Sequence, residues 1–308
     1  MNVLLRSCLV LALATPFCPA WSAETGEASG GLRYSITVSR FENRSGWAGQ
    51  WDIGDAWGTV LTDMLNQTGR FIVLGETDMR YAAMEEQDFA ASGATAGGKK
   101  APVTGQMTPS QLLVKGAITH AQEDTGGQGG GIRIKGIRIG GGGGKGEVNA
   151  TIYIVESSTG QVLASRSVVG THERQAMDVG YATGSWGASF GGHSNDNVGL
   201  AVQDACAEAV AFLLEQLPNV QWTGTVVMVK GGKVYVNRGT REGVSVGQTF
   251  TVGEVEVIRD PDTGEVLDES MTELAQLRVS QVKEKLSIAE VTSGDAASLA
   301  KGMAIHLP

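Results

Sequence analysis

Residues 131 to 146 read GIRIKGIRIGGGGGKG and run directly into EVNATIYIVES. Isoleucine alternates with arginine or lysine, which is the period-two pattern of a β-strand with one apolar and one charged face. The run is too polar for a membrane helix and too rich in glycine for an ordinary core strand. What it becomes therefore depends on the segments around it.

The chain has 308 residues, enough for one large core or two moderate ones, and two is the expectation at this length. A formal net charge of -9 argues against nucleic acid, which calls for a basic face. Glycine is abundant, at 44 residues, and concentrates between Gly126 and Gly146 and again between Gly180 and Gly192. Backbone freedom is being used there on a large scale.

The first 23 residues, MNVLLRSCLVLALATPFCPAWSA, carry one positive charge at Arg6, an apolar run from Cys8 to Ala14, and then proline and small residues. This is the pattern of a secretory signal peptide over 1–23, too short in its apolar part to span as a helix. Thr15, Pro16 and Phe17 precede Cys18, unlike the Leu-Ala-Gly type of sequence that precedes a lipidated cysteine. The mature chain then keeps only Cys206, which excludes an intrachain disulfide and a thiol metal cluster. Cys206 shares a helical face with Val202, Ala209, Val210 and Leu213 and reads as a buried small hydrophobe.

Residues 32 to 41, LRYSITVSRF, alternate as a strand. DAWGTVLTDMLNQTG places Ala56, Val60, Leu61, Met64 and Leu65 at helical spacing, with Asp55 as N-cap and Gly69 as the stop. RFIVLGE is a short strand, and Thr77 starts a second helix that runs into a polar linker from Ala90 to Met107. Thr108 and Pro109 predict a third helix start. VKGAITHA is a strand. VNATIYIVE and QVLASRSVVGT flank SSTG as an antiparallel hairpin, with Gly160 at the left-handed position. The strongest helix runs from about Val198 to Leu217 and is ended by Pro218. From Trp222 onward, short glycine-punctuated strands predict a small all-β barrel.

Taken together, VLTDMLNQTGRFIVLGE, LLVKGAITHA, VNATIYIVESSTGQVLASRSV and the closing helix resemble the CsgG family, the oligomeric outer-membrane channels that export curli subunits. The resemblance covers about residues 34 to 217. It implies an α/β (α+β) periplasmic domain over 32–219 with two extended glycine-rich β-hairpins, at 131–155 and 177–197, contributed to a shared barrel. The constriction loop falls between Gly46 and Asp55, which makes Trp47, Gln50 and Trp51 its candidate residues by location. That loop is shorter than the family's, and the lipobox that anchors such subunits is missing. VYVNRGTREGVSVGQTFTVGEVEV with the DPDTGEVL turn resembles the SH3-like barrel of the flagellar protein FlgT, an interaction domain expected over 220–308.

As a membrane wall, the hairpins must present alternate apolar side chains to lipid and pair every backbone group in a closed barrel. Val148, Ala150, Ile152 and Ile154 form one face of the return strand, and Val148, Ile152 and Ile154 are its candidate membrane-facing residues. In the outgoing strand a bulge at Gly136 brings Ile132, Ile134, Ile137 and Ile139 to the lipid side. Arg133, Lys135 and Arg138 then face the lumen, and the five glycines form the tip. Trp186 and Phe190 are the membrane-facing candidates of the second hairpin.

Chemistry has no comparable signature. His120, His172, His193 and His306 are scattered with no cysteine or carboxylate at ligand spacing, so no metal site is expected. GGGGGKG lacks the Ser/Thr and the following helix of a phosphate loop. DPDTGE has Met271 where a calcium loop needs glutamate and reads as a β-turn. No GxSxG or HExxH occurs, so no catalytic residue and no cofactor is expected. The expected function is a homo-oligomeric ring in the outer membrane that exports a protein or polymer cargo, aided by periplasmic or outer-membrane accessory proteins. The other reading keeps the chain in the periplasm, as a structural or interaction protein that braces an envelope machine or fibre.

Overall fold

The computed structural model describes residues 31–49, 51–99, 101–124, 132–134, 137–139, 145–173 and 197–308. The signal peptide expected at 1–23 lies outside them. The first part of the chain runs β1 (Tyr34–Val38), β2 (Glu42–Asn43), α1 (Ile53–Gln67), β3 (Phe71–Val73), α2 (Thr77–Ala91) and β4 (Leu112–Asp124). It continues with β5 (Ile132–Ile134), β6 (Ile137–Ile139), β7 (Lys145–Glu156), β8 (Val162–Glu173) and α3 (Asn197–Gln216).

One sheet organises this body. β1 lies between β3 and β4 and is parallel to both, whereas β4, β7 and β8 pair antiparallel in that order. Every residue of β1 is buried, as expected of a strand with neighbours on both edges. α1 packs beside α3 and buries Ile53, Trp57, Val60, Leu61 and Leu65. The Asp52 carboxylate caps α1, accepting from the amides of Gly54 (2.9 Å) and Asp55 (3.0 Å). The expected cap, Asp55, sits in the first turn and pairs with Arg40 at 2.9 Å. Gly69, at φ +62°, ends the helix as its sequence requires.

α3 lies across β7 and β8. It buries Val198, Ala201, Val202, Ala205, Cys206, Ala209, Val210, Phe212 and Leu213. Together with the turn at Leu217–Asn219 it is the one helix among the described residues long and apolar enough to cross a membrane, yet its apolar face is core. Burial pushes the Cys206 thiol pKa well above its ordinary value.

The helix expected at Thr108 is absent. Residues 108–111 form no helix and bond to β1 instead. The Ser35 hydroxyl donates to the Pro109 carbonyl (2.9 Å), and the Gln111 amide donates to the Ser35 carbonyl (3.0 Å). Local helix propensity loses here to the unpaired groups of a buried strand.

After the Leu217–Asn219 turn come β9 (Gly224–Lys230), β10 (Lys233–Val236), β11 (Thr249–Arg259), β12 (Val266–Val282), β13 (Ser287–Gly294) and β14 (Ala304–His306). They close into a six-stranded barrel in the order β9, β10, β13, β12, β11, β14. Val226, Val234, Phe250, Val252, Leu277 and Ile305 fill it, and Trp222 stacks on Phe250 with centroids 5.2 Å apart. The DPDTGE segment is a turn. Asp260 accepts from the amides of Asp262 (2.7 Å) and Thr263 (3.2 Å), and Gly264 takes φ +76°.

Among the described residues, three hydrogen bonds fasten the barrel to the body. The Tyr34 hydroxyl donates to the Val220 carbonyl (2.9 Å), the Arg33 amide to the Glu242 carbonyl (2.9 Å), and Arg241 Nη1 to the Thr108 hydroxyl (3.2 Å).

Candidate functional site

The candidate site is one end of the body sheet. β4 ends at Asp124, which pairs with Lys145 at the start of β7, and Lys145 pairs in turn with Glu173 at the end of β8. Residues 125–144 and 174–196 therefore leave and return at adjacent strand ends. α3 begins there as well, because a Cβ on Gly146 would lie 2.1 Å from the Asn197 carbonyl oxygen. Each segment holds enough residues for two strands of about 9 to 11.

β5 and β6 lie within the first of these segments and pair with each other. Ile132 opposes Ile139, Arg133 opposes Arg138, and Ile134 opposes Ile137. Two expectations change with this register and one stands. The chain reverses between Ile134 and Ile137, so the tip is not at the five glycines, which lie outside the described residues, as do Lys135 and Gly136. The phase of the isoleucines is set by this reversal and not by a bulge in one continuous strand. Cross-strand partners share a face, so positions 132, 134, 137 and 139 still fall on one side of the ribbon and 133 and 138 on the other.

The expected pairing of the outgoing strand with β7 is corrected too. β7 lies between β4 and β8, and Val148, Ile152 and Ile154 are almost wholly buried under α3. They are core residues of the body and not a lipid face. Alternation was read correctly, but it reports burial without saying what does the burying. Trp186 and Phe190 lie outside the described residues.

The loop after β2 belongs to the same end of the sheet. β2 runs parallel to β4 beside Ala117 and Ile118, so the chain beyond it heads toward the Asp124 end. The loop is tied down from within. Asn43 Oδ1 accepts from the Ser45 amide (3.1 Å) and hydroxyl (2.7 Å), and Asn43 Nδ2 donates to the Trp47 carbonyl (2.9 Å). Trp47 and Trp51 are partly buried against the core, with ring centroids 6.0 Å apart at 53°. Arg40 bridges Asp52 and Asp55, closing the loop onto α1. The amide of Asp55 first, then the Arg40 charge and the Gly54 amide, holds the Asp52 carboxyl below its usual range. Gln50 lies outside the described residues.

Sequence reading missed Glu76. It precedes α2, is buried, and stands beside Gly58 of α1 in a cleft of about 450 Å³ lined also by Thr59, Thr62, Asp63, Asn66 and Met79. Burial raises its pKa, Asp78 and Asp55 add to the rise, and a hydrogen bond with Thr59 offsets part of it. A glutamate before a helix is common enough to carry no signal of its own. Among the described residues, no group of three or more His, Cys, Asp or Glu is placed to hold a metal ion.

The fold is thus a mixed α/β body, carrying two glycine-rich excursions at one sheet end, joined to a small closed β-barrel. Residues 24–244 match the family described as curli production assembly/transport component CsgG, and the chain belongs to that family. Residues 231–298, within the barrel, match the flagellar assembly protein T C-terminal domain. No curated protein matches the sequence. Among solved structures, the PelC dodecamer from Paraburkholderia phytofirmans is 13% identical, covering 59% of this chain and 92% of that one, with a TM-score of 0.30. The hypothetical protein CT253 from Chlamydia trachomatis is 10% identical over 59% and 96%, with a TM-score of 0.35. Lipoprotein GNA1162 from Neisseria meningitidis is 19% identical over 61% and 99%, with a TM-score of 0.27. Likeness at these scores bears on neither assembly nor ligand.

Proposed function

We propose that this chain is the ring-forming subunit of an outer-membrane secretion channel that exports a protein or polymer component of a surface fibre or matrix. The observation that carries the reading is the gathering of the two hairpin roots and the tryptophan loop at one end of the sheet of a CsgG-family body. A subunit arranged in this way can hand its hairpins to a shared barrel while its loop borders the same axis. Closure is required, because no strand edge survives unpaired in lipid.

In this channel positions 132, 134, 137 and 139 face lipid with Trp186 and Phe190, whereas Arg133, Lys135 and Arg138 line the lumen. Trp47, Gln50 and Trp51 form the constriction, and the internal hydrogen bonds of the loop keep its bore constant. Export needs no reacting residue, only a passage and a constriction. The barrel over 220–308 serves as the docking domain for accessory proteins.

The test is purification in detergent followed by imaging and conductance in planar bilayers. Pored rings that conduct ions support the reading, and a monomer released from cells by salt alone sinks it. Deletion of residues 131–144 should abolish conductance while the body, whose β7 begins at Lys145, stays folded. Rings that still insert and conduct after that deletion would show that these residues do not build the wall.

A further inference from the structure

Among the described residues, two surfaces of the body lack a partner. α2 buries none of its residues, and its outward line carries Tyr81, Glu85 and Phe89 at four-residue spacing, with Tyr81 62% and Phe89 54% exposed. A helix of fifteen residues is marginal in water on its own and takes its stability from packing an apolar face. Here that face is outward. What ties α2 to the chain is polar, such as the Arg80 Nη2 bond to the Thr108 carbonyl at 3.1 Å.

The second surface is the sheet face turned away from α3. Register puts Lys115, Tyr153 and Ser165 in one row and Ala117, Thr151 and Ser167 in the next, with Val169 opposite Asn149 beyond them. Tyr153 is 39% and Val169 50% exposed, Lys115 is exposed, and the carboxylate of these rows, Glu42 opposite Ala117, is already paired with Arg44 at 2.6 Å. A sheet in a layered domain is stable with one wet face, but an aromatic and a valine left open beside a lysine make a surface that a helix can cover. The charges are complementary: α2 carries Asp78, Glu85, Glu86 and Asp88 against Arg80 alone.

We infer that α2 of one copy packs on the open face of β4, β7 and β8 of the next copy. The inference rests on the ring reading above and names the contact that would build the ring. A helix on one side of the subunit and its receptor on another make a heterologous contact, which propagates from copy to copy and closes when the rotation allows. Tyr81 and Phe89 then cover Tyr153 and Val169, and the acidic residues of α2 lie over Lys115.

The test uses two variants of the full chain, Tyr81→Glu and Tyr153→Glu, studied by native mass spectrometry in detergent. Both positions are exposed, so circular dichroism and Tm should match wild type. Each variant alone should lose rings at least tenfold. Mixed together they should form a dimer and stop there. The Tyr153→Glu copy keeps a working helix, the Tyr81→Glu copy keeps a working sheet face, and no second contact is left. Rings that persist in either variant would overturn this contact while leaving the channel reading intact. A mixture that stays monomeric would overturn it as well, since a self-complementary surface is not rescued by mixing. A wild-type chain that is monomeric under the same conditions removes both readings.

Discussion

Gly170 of β8 lies directly against Ala201 of α3, so closely that a Cβ at position 170 would come within 1.8 Å of the Ala201 carbonyl oxygen and 2.6 Å of the Ala205 amide nitrogen. The obstacles are backbone atoms of a helix, which have no rotamer to yield. The substitution Gly170→Ala must therefore lift α3 from the sheet or bend β8. Overpacking of this kind costs about 1 to 3 kcal/mol, and the rigid backbone puts this site at the upper end. Urea unfolding should show the midpoint falling with little change in slope. An unchanged midpoint would mean that α3 does not seat on β8 as described.

The buried carboxyl of Glu76 gives stability a pH dependence of definite sign. Its native pKa is raised, chiefly by burial and secondarily by Asp78 and Asp55, so the folded state holds its proton more tightly than the unfolded one. Below the ordinary carboxylate range both states are protonated and the group costs nothing. As pH rises through that range the unfolded chain ionises first, and the fold loses stability until the native group has also ionised. Glu76→Gln keeps an acceptor for Thr59 and removes the charge. Its Tm should equal that of wild type in acid and exceed it at neutral pH, by about 2 to 4 °C for each kcal/mol recovered. A gap that narrows as pH rises contradicts this account.

Much of the body is legible in the residues because it rests on local rules. Gly69 and Gly160 take the positive φ that their turns demand, Pro218 follows the end of α3, and the alternation of Val148, Ala150, Ile152 and Ile154 is a true single face. Other features depended on distant partners that no local pattern reveals. The same alternation suits a lipid face as well as a core face, because the helix that covers it comes some fifty residues later in the chain. Pro109 looks like a helix start until Ser35 claims its carbonyl. Gly136 invited a bulge, but an isoleucine–arginine repeat on either side of two residues reads equally well as two short strands facing each other. Glu76 left no trace, since burial is its only distinction.

Glu242 holds the seam between body and barrel. It is buried, accepts from the Gly239 amide at 2.8 Å and pairs with Arg241 at 2.6 Å, while its own carbonyl accepts from Arg33 of the body. Removing one partner of a buried charged pair costs about 3 to 5 kcal/mol, because the other is left uncompensated. Arg241 keeps some access to water, so Glu242→Ala is expected to fall at the lower end. Limited proteolysis should then cut near Leu217–Asn219 faster than in wild type. An intact seam and an unchanged Tm would show that the carboxylate contributes little.

The proposed lumen makes an electrical prediction that separates the two faces of the β5 and β6 ribbon. Position 133 lies opposite 138, so every subunit contributes a pair of arginines to one level of the pore, although the whole chain carries a net charge of -9. A ring of fixed positive charge in a narrow passage concentrates anions and repels cations. Under a salt gradient the channel should therefore show an anion-selective reversal potential. Replacing both arginines, in Arg133→Glu with Arg138→Glu, should reverse its sign without preventing insertion, since charges on the lumen side cost the membrane wall nothing. Ile132→Arg, on the other side of the ribbon and farther from its turn, should impair insertion itself, because a cation facing lipid costs up to about 2 to 4 kcal/mol per subunit, most at the midplane. If the isoleucine variant inserts normally and the arginine pair does not, the faces are assigned the wrong way round.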